Sequence, residues 1–150
     1  MTQEDKALLL KDLCARLPYN VICQVEFKEN GKYKSKVMLL SGIFTDEAYF
    51  TTKGGSIYSN EYKPYLFPLS SMTEEMLKEL NTNGFFKYRD DITNVSNIES
   101  KNGISKEIYT YIDIESISFL TDYFHSNHID YRGLIEKSLA LDATNLGVYE

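Results

Sequence analysis

Four side chains near the end of the chain have the types and spacing for shared chemistry: Asp122, His125, His128 and Asp130. On a helix the first three lie along one edge, and Asp130 follows just past the end. A His-x-x-His pair can grip a divalent metal when carboxylates complete the set. The same residues could form a histidine–carboxylate acid–base couple, as a metal-dependent hydrolase or nuclease-like enzyme would need. The plainer reading is structural. Histidines in a last helical turn interact well with the helix dipole and cap carbonyls, and spacing alone supplies no fourth ligand. The plainer reading is preferred, so no cofactor is expected.

A second candidate follows directly. Asp130-Tyr131-Arg132-Gly133 reads as a recognition loop in which Arg132 offers a two-pronged donor to a carboxylate or phosphate. Against it stands internal pairing, with Asp130 or Asp142, that pins the tail to the body. Tyr131 and Arg132 are therefore binding candidates, together with Tyr109 and Tyr111 from a wider tyrosine set (Tyr58, Tyr62, Tyr65) that could form a protein-binding face or plain strand surface. Ser70 and Ser71 lack the Gly-x-Ser-x-Gly elbow of a nucleophile. Lys53-Gly54-Gly55-Ser56 lacks the spacing of a phosphate loop and reads as a turn.

The elements that must position these residues follow from periodicity. Thr2 with Asp5 marks a helix start, and Leu10, Leu13, Cys14 and Leu17 form its expected buried face. Arg16 falls off that face, and Pro18 ends the helix. Val21 to Phe27 alternates as a half-buried strand, Asn30-Gly31 supplies a tight turn, and Tyr33 to Ile43 returns. The middle of the return strand, Val37-Met38-Leu39-Leu40, is apolar on both faces, with the first helix as its expected cover. A further hairpin spans Glu47 to Tyr62.

Lys63 to Leu69 is apolar but broken by two prolines, so it is expected outside the sheet. Ser71 with Glu74 is a capping box for a short helix carrying Met76, Leu77 and Leu80. Phe85 to Arg89 and Ile104 to Ile112 read as strands around a polar loop. Asp113 caps a last helix whose stripe is Ile114, Ile117, Leu120, Thr121, Phe124 and His128. Leu139 and Leu141 continue an apolar pattern beyond it, so the tail should dock, with only Gly147 to Glu150 dispensable.

The expectation is one domain over residues 1–150. Its class is α+β: a mostly antiparallel sheet of about five or six strands with the N- and C-terminal helices packed on it. A net charge of −6 argues against nucleic acid and anionic lipid as partners. The composition, with 12 Tyr, 8 Phe and no Trp, suits half-buried strands. Cys14 and Cys23 are read as reduced core residues. With no signal-peptide pattern and no apolar run of membrane length, the expected location is cytoplasmic and the expected membrane association none.

Leu8 to Tyr19, Lys63 to Glu75, and His128 to Lys137 with Leu139 to Ala143 resemble a group of short uncharacterised proteins of Bacteroides-type gut bacteria and their phages and mobile elements. Lys28 to Tyr62 and Gly84 to Ile112 depart from that group. The resemblance implies a genomic setting and carries over no site residues. With no catalytic motif, the expected function is that of a small non-enzymatic accessory protein that binds another, unidentified protein. The alternatives are the metal-dependent enzyme above and an acidic mimic of nucleic acid. Oligomeric state is left open.

Overall fold

The computed structural model describes residues 1–44, 47–82 and 114–150. Helix α1 (Gln3–Arg16) opens on the expected reciprocal cap, with the Thr2 hydroxyl accepting from Asp5 N–H and the Asp5 carboxylate accepting from Thr2 N–H. A short 3₁₀ turn, Leu17–Tyr19, follows at Pro18. Then come β1 (Ile22–Glu29), β2 (Lys32–Ile43), β3 (Ala48–Thr52), β4 (Gly55–Ser59) and β5 (Glu61–Pro68). Helices α2 (Glu74–Thr82) and α3 (Ile114–Ser126) and two short strands, β6 (Ile129–Asp130) and β7 (Leu141–Asp142), complete the described elements. The α+β class holds.

β1 to β4 form an antiparallel meander, and β5 returns to pair with β1, giving the order β4-β3-β2-β1-β5-β6. Asn30 and Gly31 both adopt positive φ in the β1–β2 turn, as a two-residue hairpin turn requires. The sheet curls strongly. β4 runs into β5 through Asn60 alone, and the Ser59 hydroxyl donates to Glu26 O on β1 at 2.7 Å. The concave side holds Cys23, Val25, Met38, Leu40, Ala48, Phe50 and Leu66, closed by Leu9 and Leu13 of α1 and by Leu134, Leu139 and Ala140 of the tail. A second core joins Met72 and Leu80 to Leu120, Tyr123, Phe124 and Ile129.

Several sequence expectations need correction. The buried face of α1 is Leu9, Asp12, Leu13 and Arg16, whereas Leu10 and Cys14 are exposed. Helix α1 covers only the concave side of β2, and Val37 on the other side stays half exposed. Lys63 to Pro68 is inside the sheet, with Pro64 buried. Its proline is tolerated because β5 changes partners there: the ladder to β1 ends at Cys23↔Pro64 and pairing with β7 begins at Tyr65↔Leu141, so the missing N–H interrupts no continuous ladder. Thr73, not Ser71, caps α2, accepting from Met76 N–H; Ser71 donates to Pro68 O instead. On α3, Leu120 and Phe124 are buried as expected but Ile117 is exposed. The expected strands within Phe85 to Ile112, with Tyr109 and Tyr111, lie outside the described residues.

The tail docks. β6 and β7 both pair parallel to β5, and Gly133 takes φ +70 at the reversal. Its end is anchored too, against expectation. The Tyr149 hydroxyl donates to Tyr65 O at 2.6 Å and accepts from Ile22 N–H at 3.3 Å. No helix among the described residues is long and apolar enough to cross a membrane.

Candidate functional site

The four residues of the histidine edge serve four different neighbourhoods. Helix α3 ends at Ser126, and His128 has φ +55, so it leaves the helical edge. Asp122 is exposed. Both oxygens of the Asp130 carboxylate are taken by backbone donors, Leu134 N–H at 2.9 Å and Ile135 N–H at 2.8 Å, which fix the turn into the tail. His125 Nε2 lies 2.9 Å from the Tyr131 hydroxyl. His128 stacks on Tyr149, ring centroids 3.9 Å apart, and its buried Nδ1 has no hydrogen-bond partner among the described residues. Among the described residues no three histidine, cysteine or acidic side chains gather as a metal site would require.

What the fold does assemble is a charged corner that joins α1 to the start of the tail. Asp12 and Arg16 are both fully buried, with Asp12 Oδ2 2.6 Å from Arg16 Nε. Arg16 also donates to Phe124 O at 3.3 Å and to Ile129 O at 2.7 Å, so it satisfies carbonyls at the end of α3 and on β6. Arg132 Nε reaches the other Asp12 oxygen at 3.1 Å and donates to the Tyr131 hydroxyl at 2.9 Å. The expected internal pairing of Arg132 is thus present, with Asp12 as its carboxylate instead of Asp130 or Asp142. The Tyr131 ring stacks on Phe124 and lies 4.9 Å from the Arg132 guanidinium carbon.

The electrostatics follow from burial. His125 is held below the ordinary histidine range, first by loss of water and then by the Arg16 charge. His128 is lowered to about 4 for the same two reasons. Burial also raises the Tyr131 hydroxyl. The Tyr131 hydroxyl accepts from Arg132 and shares a second hydrogen bond with His125 Nε2, whose direction follows the histidine tautomer. These bonds orient the side chains firmly.

A different region has the character of a surface feature. Glu26, Phe27 and Lys28 of β1, Tyr33, Glu47, and Ser56 to Glu61 line an open cleft of about 610 Å³. Tyr33 and Tyr58 are 72% and 55% exposed. Tyr58 leads into an aromatic group, its ring 4.9 Å from Tyr49 and 5.8 Å from the exposed Phe44. Of the other expected surface tyrosines, Tyr62 packs inward against Phe50 and Tyr65 is buried. The sequence signals for the cleft were Tyr58 itself and the Asn30-Gly31 hairpin beside Tyr33. Nothing in the spacing announced the buried Asp12–Arg16 pair beyond opposite charges at i, i+4.

The chain matches no family model, no curated protein and no solved structure.

Proposed function

We propose that this protein works by binding another protein, without catalysis of its own, and that the contact is the cleft between β1 and β4. The observation that carries the reading is the exposed Tyr58 on the edge strand β4, which lines the cleft and is backed by Tyr49 of β3 and by Phe44. Among the described residues β4 pairs only with β3, so one row of its backbone groups has no ladder partner. An extended segment can add to such an edge through main-chain bonds and seat alternate side chains among aromatic anchors.

The charge of the walls favours a basic segment. Glu26, Glu47 and Glu61 line the cleft, with Lys28 as the one cation among its described lining residues. Glu26 and Glu61 are direct neighbours across the β1–β5 ladder, an arrangement that is unfavourable for like charges and is relieved by a partner lysine or arginine. The accessory role in a phage or mobile element belongs to the same proposal and rests on the sequence resemblance.

The test is a photoreactive residue in place of Tyr58, in cells that express the protein. The expected result is one crosslinked protein whose attachment point lies in a Lys- or Arg-rich extended segment, with the crosslink lost on Glu61→Lys. Crosslinks scattered over many proteins, or unaffected by E61K, would refute the reading.

A further inference from the structure

The corner around Asp12 holds two guanidinium groups and, among the described residues, one carboxylate in contact with them. Arg16 spends its donors on Asp12 and on two backbone carbonyls. Arg132 does not. Its Nε is committed to Tyr131 and Asp12, but neither terminal nitrogen has a hydrogen-bond partner among the described residues. Nor are those nitrogens sealed away: the only buried side-chain nitrogen or oxygen without a partner among the described residues is His128 Nδ1. Tyr131 beneath the guanidinium and Asp12 behind it hold the plane, and the side chain is 19% exposed. Arg132 is thus a mostly buried, oriented fork whose outer edge faces solvent.

We propose that this edge binds a single carboxylate. The planar fork matches a carboxylate with two parallel N–H···O bonds. Charge decides between anions. The groups in direct contact, Arg16, Asp12 and Arg132, sum to one positive charge, and the nearby Asp122 carboxylate, which also acts on His125, offsets part of it. One carboxylate cancels that charge, whereas a phosphate dianion would leave a net negative charge where water screens weakly. The site shares no residue with the cleft between β1 and β4, so the two proposals stand or fall separately. The carboxylate can come from a small organic acid or from the end of a polypeptide.

The experiment is nuclear magnetic resonance on the full chain. Sodium acetate, a short neutral peptide with a free C-terminus, the same peptide amidated, and sodium phosphate are added at matched ionic strength. Acetate and the acid peptide are expected to move the Arg132 Nε–H and His125 ring signals saturably, with Kd on the order of 1–10 mM. They should also raise the His125 pKa, because the bound anion offsets the cationic neighbours. Arg132→Lys keeps the charge but loses the fork, and should weaken the effect about tenfold. A peptide binding more tightly than acetate identifies a chain end as the source, and equal binding identifies a small acid; either supports the site. Equal shifts with the amidated peptide, tighter binding of phosphate, or no saturable shift would each overturn it. The acid–amide comparison needs no variant and holds even if R132K fails to fold.

Discussion

Replacing Asp12 by alanine removes the counter-charge of a guanidinium that has no access to water. Arg16 and Asp12 are both 0% exposed and 2.6 Å apart. At an effective dielectric of about 20, unit charges about 3 Å apart attract by roughly 5 kcal/mol before the cost of desolvation. Much of that cost remains when only the carboxylate is deleted, because Arg16 stays behind, held by Phe124 O and Ile129 O. Breaking a buried pair in this way costs about 3–5 kcal/mol. With a urea slope of about 2 kcal/mol per molar, the midpoint should fall by about 1.5–2.5 M. Thr2→Ala on the same helix is the internal control: it deletes an exposed cap and should cost about 1 kcal/mol. Urea titration followed by circular dichroism at 25 °C measures both. A loss below about 1 kcal/mol for Asp12→Ala, or one no larger than that of Thr2→Ala, would mean that the pair behaves as a solvated surface ion pair. The account of the corner would then be wrong.

Three further outcomes are expected. Leu120→Ala and Phe124→Ala, both in the second core, should each lower stability by about 2–5 kcal/mol, and denaturant midpoints that scarcely move would contradict their burial. The folded-state pKa of His128 is depressed to about 4 from an ordinary value of 6.5, so the unfolded chain binds more protons between those pH values and stability should fall as pH drops through that window. His128→Asn, which keeps the left-handed backbone, should flatten the decline measured by thermal melts from pH 7 to 4, and an unchanged slope would assign it to other groups. Tyr149→Ala should cost about 2 kcal/mol through lost stacking and hydrogen bonds, and deleting Gly147 to Glu150 should lower the melting temperature similarly instead of being silent.

The meander and its turns were legible because they are local. Val21, Cys23 and Val25 alternate with Gln24 and Glu26, and Asn30-Gly31 admits few conformations other than a tight turn. The face of α1 was not. Leu9, Asp12, Leu13 and Arg16 repeat at the same spacings as Leu10, Leu13, Cys14 and Leu17, and apolar content favoured the second set. The buried face also carries Arg16 to a pair of carbonyls on a distant part of the chain, Phe124 O and Ile129 O, a contact that local periodicity does not encode. The histidine edge misled for a related reason. Helical spacing was extended through His128, but the chain turns left-handed there and sends its ring to Tyr149. Tyr131 and Arg132 were legible as residues worth testing, whereas Asp12, which orients Arg132, carried no signal that distinguishes it from any helical acid. Pro64 and Pro68 led to a wrong expectation, a segment outside the sheet, because a strand that swaps partners midway also accommodates a missing N–H.

The bonds from Arg16 to Phe124 O and Ile129 O span 108 and 113 residues. They have a consequence for the order in which the chain can fold. While residues 1–82 alone have left the ribosome, α1 can form and the β1–β5 meander can pair. The helix would then present a cation whose carbonyl acceptors have not yet been synthesised. Docking it at that stage would desolvate donors that have no acceptor. The meander therefore waits, with its concave side incompletely closed, until α3 and β6 arrive. Contacts of such sequence separation make for slow folding. Until the far end of the chain is made, the interior of the sheet, Phe50 and Leu66 included, lacks the cover that Leu134, Leu139 and Ala140 supply.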